Sequence, residues 1–243
     1  MSRREDLRAA LARTRERVAA AERAAGRAPG STTLVVVTKF FPASDVRELA
    51  AAGVRDVGEN RDQEARAKAA DLADLADPAG GDGLRWHFIG QLQTNKARSV
   101  AGYADAVHSV DRTRLAHALA EAAERAERHL GVFVQVDLAA ALGLEADAGR
   151  GGAAGEDVLR VADAVAGAGH LRLRGLMAVA PLGVEPERAF AELARTAERV
   201  RRDHPGAAEL SAGMSGDLEA AVAVGATHLR VGSAILGTRP PAR

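Results

Sequence analysis

Three lysines, Lys39, Lys68 and Lys96, stand among the 33 basic residues of this chain; the other 30 are arginines. A coding bias toward Arg, Ala and Gly accounts for the ratio, and under such a bias a lysine that remains marks a place to look for chemistry that arginine cannot do. Arginine stays charged under ordinary conditions, whereas a buried lysine can lose its proton and act as a nucleophile. Lys39 directly follows Leu34-Val35-Val36-Val37-Thr38, a β-branched run without polar alternation that suits a strand buried on both faces. An amine desolvated at the end of such a strand is shifted toward its neutral form, which attacks carbonyls. Lys68 sits in a polar helical stretch and Lys96 follows Asn95 near a helix start; both are expected to be solvated.

A second group lies near the end of the chain. Ser215 and Gly232-Ser233 each stand between an apolar strand-like run and a helix-like one. Free N–H groups at a helix start attract an anion, and glycine lets a phosphate approach the backbone. Arg230 lies inside the apolar run His228-Leu229-Arg230-Val231, where a charge needs a partner; a carboxylate or a pyridine nitrogen would serve. A lysine near a phosphate site suggests a Schiff base, either with a carbonyl substrate or with pyridoxal phosphate. The seven histidines show no metal-binding spacing, and there is no Gly-x-Ser-x-Gly elbow. His87, between Trp86 and Phe88, reads as a satisfied core histidine, and Asp217 and Glu219 as first-turn acids serving a helix dipole.

These residues need elements to carry them. Leu7, Leu11, Thr14 and Val18 mark an N-terminal amphipathic helix, closed by Gly26, Pro29 and Gly30. Eight short apolar runs follow, at 34–38, 54–57, 84–89, 106–110, 132–136, 171–176, 209–212 and 228–231. Helices alternate with them, one from Ser44 as cap, one from 61 to about 75, one capped by Thr94, and one from Asp111 to 129; later ones begin near 156, 186 and 215. Strand–helix alternation of this kind predicts a parallel sheet. Eight strands in about 200 residues favour closure into a single (β/α)8 TIM barrel, one domain over 1–243 with residues 1–30 as an extra N-terminal helix and linker. No Gly-x-Gly-x-x-Gly follows the first strand, which counts against a dinucleotide fold. In such barrels the active groups sit at the C-terminal strand ends, which is where Lys39, Asn60, Met177, Ser215 and Gly232-Ser233 fall. The Gly/Ala-rich stretch 139–155 is expected to be a mobile loop.

Composition sets outer bounds. Equal numbers of basic and acidic residues, 33 each, argue against a nucleic-acid binder, and the absence of cysteine excludes disulfides and thiolate chemistry. The N-terminus has no apolar core of the signal-peptide or membrane-span kind, so the expectation is a soluble, cytoplasmic protein. With no apolar segment left over once helices cover the barrel, a monomer is expected.

Six blocks in order, V-V-V-T-K, G-E-N, W-H-F-I-G-Q-L-Q-T-N-K, R-G-L-M, S-A-G-M-S-G-D-L-E-A-A and R-V-G-S-A-I-L-G, resemble the pyridoxal phosphate homeostasis proteins, single-domain relatives of the barrel half of alanine racemase. The resemblance spans roughly residues 30–238. It implies a barrel of the alanine racemase N-terminal domain type and pyridoxal 5'-phosphate carried on Lys39 as an internal aldimine. It further implies that Ser215, Gly232 and Ser233 hold the phosphate, that Arg230 faces the pyridine nitrogen, and that Asn60 and Met177 lie near the ring. Two departures stand out: the 139–155 stretch replaces a polar, lysine-bearing segment, and Ser-Ala-Gly replaces the commoner Ser-Met-Gly.

Three functions fit that chemistry. A vitamin B6 homeostasis protein would hold the cofactor and deliver it, with pyridoxal phosphate-dependent apoenzymes as recipients. An amino-acid racemase needs a second acid/base on the far face of the ring, which alanine racemases take from a tyrosine of a second domain; here Tyr103 is the sole tyrosine. A Schiff-base aldolase would use Lys39 without the cofactor. A permanently charged arginine at the ring nitrogen disfavours its protonation, so the first reading, without robust catalysis, is the expectation.

Overall fold

The computed structural model describes residues 2–76, 83–144 and 151–238. Eight parallel strands close in sequence order into a barrel: β1 Thr33–Val37, β2 Asp56–Glu59, β3 Arg85–Phe88, β4 Ala106–Val110, β5 Leu130–Gln135, β6 Leu171–Met177, β7 Glu209–Ser211 and β8 His228–Val231. The barrel closes where β1 meets β8, with Val36 opposite Val231. The helices are α1 Arg3–Ala24, α2 Ala43–Ala51, α3 Asp62–Asp71, α4 Ala97–Ala101, α5 Thr113–Arg125, α6 Leu138–Ala141, α7 Asp157–Ala166, α8 Pro186–Asp203, α9 Leu218–Ala223 and α10 Ser233–Leu236. The expected (β/α)8 architecture with an extra N-terminal helix is therefore present.

Local chemistry accounts for the boundaries that differ from expectation. Val54 belongs to the close of α2, not to β2. Gly53 takes φ +82, and the Val54 amide reaches back to the Leu49 carbonyl at 3.0 Å, a glycine-terminated helix end with an apolar residue beyond it. Pro42, not Ser44, precedes α2, and Arg112, not Asp111, precedes α5. Gln93 precedes the 3₁₀ turn Thr94–Lys96 that Thr94 was expected to cap. The third helix stops at Asp71 and gives way to a 3₁₀ turn, Ala73–Leu75. In the stretch expected to be mobile, α6 is capped by Asp137, whose Oδ1 accepts from the Ala139 and Ala140 amides, and Ala153 bridges back to Val136. Residues 145–150 of it lie outside the described part, as do residues 77–82.

α1 is fixed by a capping box, with the Ser2 hydroxyl on the Glu5 amide and the Glu5 carboxylate on the Ser2 amide. Its buried face, Leu7, Leu11, Thr14, Val18 and Ala21, packs on α9 and α10. Two arginines extend that contact to the loops after β7 and β8. Arg17 donates to the Ser215 carbonyl at 2.7 Å and pairs with both Glu219 oxygens, and Arg3 reaches the Leu236 carbonyl at 3.2 Å. The extra helix thus braces the loops that carry the serines.

The barrel interior is polar. His108 and His228 pack against Phe133, the His108 ring stacked on it at 4.3 Å between centroids, with His87 edge-on to His108 and the Arg174 guanidinium 5.3 Å from the Phe133 centroid. Burial and the Arg174 cation push the His228 imidazole down to about 3 from its ordinary 6.5. Asp56, bonded to His87 and Arg85, is held well below the usual carboxylate range despite its burial. The unfolded chain therefore takes up a proton on His228 as pH falls through 6.5 while the folded chain does not, so stability falls with pH. The Asp56 contribution is lost at still lower pH, in the same direction. The expected result is a lower urea midpoint at about pH 5 than at about pH 7.5, with His228 accounting for up to roughly 2 kcal/mol. Equal midpoints would contradict a buried, neutral His228.

Candidate functional site

Of the seven residues singled out by sequence, Met177 and Arg230 lie on strands, Lys39, Asn60, Ser215 and Gly232 follow strand ends, and Ser233 opens α10; five of them fall into two groups. Because Val36 pairs with Val231, Gly232 lies beside Val37. A side chain there would meet the Val37 carbonyl oxygen at 3.1 Å and the Val37 Cβ at 3.3 Å, so the strand ends stay close only with glycine. Ser215 and Ser233 come from different loops, yet their hydroxyls are 3.2 Å apart, and the Ala234 amide lies 3.4 Å from the Ser215 oxygen. Ser215 does not open a helix, as expected, but stands in the turn before α9, with Asp217 at the cap position accepting the Met214 amide. The pair forms one hydroxyl-lined cradle, with Ser215 half-buried and Ser233 exposed.

Asn60 and Met177 line the second group, a mouth cavity of about 190 Å³ shared with Gln91, Gln135, Asp137 and Gly151. Gly90 makes this shape possible: any side chain would collide with the Asn60 carbonyl. Tyr103 is absent from this cavity. It packs in the helical layer beside Arg66, Ala69 and Ser99, and burial with Asp62 and Glu59 nearby pushes its hydroxyl above the ordinary range.

Lys39 sits in the turn after β1 and is half-buried, not enclosed. Its ammonium lies 5.8 Å from the Phe40 ring centroid. Phe40 adopts φ +72, an uncommon conformation for a bulky residue, and its amide donates to Glu64 Oε1 at 2.6 Å.

The expectation that Lys68 is solvated is overturned. Its side chain is 7% exposed, and its nitrogen donates to Glu59 and Glu64, each at 2.8 Å, and to the Thr38 carbonyl at 2.9 Å. The Thr38 hydroxyl adds a 2.6 Å bond to Glu59. Helix spacing explains this: Lys68 is four residues after Glu64, on the α3 face that turns toward the barrel. Alanines on both sides of it, Ala67 and Ala69, and no large apolar residue from 61 to 71 left that face without a stripe to mark it. Glu59, from the Gly-Glu-Asn block, is likewise buried, which pushes its carboxyl up against the pull of Lys68. This cluster clamps the residues before and after Lys39.

Arg230 is 5% exposed, and its hydrogen bonds go to neutral oxygens where a carboxylate was one expected partner. It donates to the Ser211 hydroxyl at 2.7 Å and the Ala178 carbonyl at 2.8 Å, and burial holds it down to about 10. Among the described residues no group of His, Asp and Glu could hold a metal ion, and no helix is long and apolar enough to cross a membrane.

With this geometry, comparison with known proteins is informative. Residues 10–240 match the alanine racemase N-terminal domain family. The chain is 45% identical to the pyridoxal phosphate homeostasis protein of Mycobacterium leprae, over 94% of this chain and 91% of that one. It is 38% identical to the protein of the same name from Escherichia coli, over 94% and 95%. The chain belongs to the pyridoxal phosphate homeostasis protein family. Among solved structures of similar chains is PipY of Synechococcus elongatus with pyridoxal phosphate bound, 36% identical with a TM-score of 0.78, covering 95% of this chain and all of that one. Alanine racemase from Corynebacterium glutamicum shares the fold alone, at 17% identity and TM-score 0.67, and this homeostasis-family chain spans 62% of its length.

Proposed function

We propose that this chain binds pyridoxal 5'-phosphate through Lys39, buffers it, and delivers it to apoenzymes. The observation that carries this reading is the hydroxyl cradle of Ser215 and Ser233 next to a glycine that a Cβ would fill, one strand away from the lysine-bearing turn. The residues fit the group. When bound, the cofactor supplies an aldehyde carbon open to a primary amine and an electron-withdrawing pyridine ring. Lys39 supplies the amine, and Ser215 and Ser233 take the phosphate, with Gly232 keeping the backbone open to it. Asn60 and Met177 line the ring side of the mouth. Arg230 meets the ring nitrogen as a donor and, being a cation, keeps a proton off it. That arrangement favours holding the cofactor over withdrawing electrons from an amino acid. The exposed Ser233 and the half-buried Lys39 leave the site open for exchange.

The test is the visible spectrum of the purified chain supplemented with pyridoxal phosphate, followed by borohydride reduction and peptide mapping. A reducible chromophore on Lys39 with negligible exchange of amino-acid α-protons in deuterated water supports the reading. A colourless protein that cannot be loaded overturns it, and a sugar-phosphate carbonyl trapped on Lys39 in its place would indicate an aldolase.

The α1 brace has its own expected effect. Arg17→Ala removes the bond to the Ser215 carbonyl and the pair with Glu219, and should weaken pyridoxal phosphate binding several-fold with a small loss of stability, since partly exposed ion pairs contribute about 1 kcal/mol or less. Equilibrium titration alongside thermal unfolding checks it.

A further inference from the structure

Arg230 is the end of a chain of hydrogen bonds that crosses the barrel interior. Asp56, on β2, is gripped from outside by Arg85 through bonds of 2.8 and 2.6 Å. Its Oδ1 lies 2.9 Å from His87 Nε2. His87 Nδ1 is 2.8 Å from His108 Nε2, and His108 Nδ1 is 2.8 Å from the Ser211 hydroxyl. Ser211 then accepts from Arg230 at 2.7 Å. His87 is 2% exposed, and His108 and Ser211 are fully buried, so no solvent competes for these bonds.

Donor and acceptor roles follow from the two ends. An ionised carboxylate only accepts and a guanidinium only donates, so His87 must donate through Nε2 and Ser211 must accept from Arg230. With the Nε2 hydrogen as its single ring hydrogen, His87 accepts at Nδ1, His108 donates through Nε2 and accepts at Nδ1, and the Ser211 hydroxyl donates to it. Each bond uses one hydrogen and none is left over. His108 is kept neutral by complete burial and by the surrounding His87, Arg230, His228 and Arg174, which push it well below its ordinary range. The charged and titratable groups facing the two central histidines are Asp56 and Arg85 at one end, Arg174 and Glu209 beside His228, and Arg230 at the other end.

We propose that His87, His108 and Ser211 are positioning residues that hold the Arg230 guanidinium in one orientation for the pyridine nitrogen, with Asp56 as the fixed acceptor at the far end. The Ser211 and Ala178 anchors sit on different strand ends and together fix the guanidinium plane. Arg230 thus bonds directly to neutral oxygens and reaches the Asp56 carboxylate only through Ser211, His108 and His87. The proposal rests on the pyridoxal phosphate reading, and its test separates the two.

Nitrogen-15 NMR of histidine-labelled chain, without cofactor, reads the tautomers directly. The expected result is His87 and His108 both protonated at Nε2 and unprotonated at Nδ1; an Nδ1-protonated His108 overturns the proposal whether or not the chain binds the cofactor. Pyridoxal phosphate titration then measures coupling. Ser211→Ala should weaken binding about tenfold, the loss of one hydrogen bond to a charged group, and shift the visible band of the bound cofactor. In an Arg230→Gln background the same change should have almost no further effect on affinity. His108→Gln, which can still accept and donate, should retain more affinity than His108→Leu. Equal losses from Ser211→Ala in both backgrounds, or no loss in either, would overturn the role assigned to Ser211. A wild-type chain that takes up no cofactor removes the functional reading alone, because the tautomer measurement still decides the arrangement of the bonds.

Discussion

Lys39→Arg is expected to fold like the parent chain and to take up no pyridoxal phosphate covalently. The side chain is half-buried in a turn, with its charge near the Phe40 ring, a position that a guanidinium can also occupy and where its stacking on an aromatic face is favourable. Stability should therefore stay within about 0.5 kcal/mol of the parent, as for most partly exposed substitutions. The chemistry does not survive, because arginine remains protonated and offers no neutral primary amine to an aldehyde. The visible band should vanish and borohydride should leave no adduct, while phosphate contacts through Ser215 and Ser233 preserve weak, reversible binding. The result to look for is loss of the band with unchanged circular dichroism and unfolding midpoint. A yellow Lys39→Arg protein would mean that another amine, Lys96 or the chain terminus, carries the cofactor.

The second large effect falls on stability. Lys68→Met removes the cation from between two carboxylates, Glu59 and Glu64, and from the Thr38 carbonyl. Removing one member of a buried ion pair leaves the other uncompensated, at a cost of about 3–5 kcal/mol. The expected outcome is a drop in unfolding free energy of that size in denaturant titration. It should be partly recovered in Lys68→Met/Glu59→Gln, where the stranded charge is also gone. Because the same cation holds the backbone before Lys39, the single variant should also weaken cofactor uptake. A stability loss under about 1 kcal/mol would place Lys68 in water, as its helix first suggested.

The contrast between these two lysines shows where sequence was informative. The place of Lys39 just past the first strand was legible because an unbroken β-branched run precedes it, and such a run has few structural alternatives. The barrel was legible for the same reason, repeated eight times. Lys68 was misread because a helix that presents two charged faces shows no apolar stripe, and which face turns inward depends on a partner, Glu59, on a different element. Arg230 was correctly marked as a charge in need of company, but its partners are a hydroxyl and a main-chain carbonyl that become neighbours only when β6, β7 and β8 are side by side. Val54 looked like strand because an apolar residue after a glycine is equally suited to closing a helix. The 139–144 segment hid its order in Asp137, a cap that an Ala-rich run does not advertise.

The brace from α1 also ties the two ends of the folding reaction together. Arg3 and Arg17 precede the first strand, whereas Ser215 and Leu236, which they contact, follow the seventh and eighth. Contacts separated by some 200 residues form late, since they wait for a long loop to close. The cradle therefore acquires its final shape only after the circle of strands has shut. Refolding followed by cofactor absorbance would then lag refolding followed by helix content, and the slower signal would time the closure of the barrel.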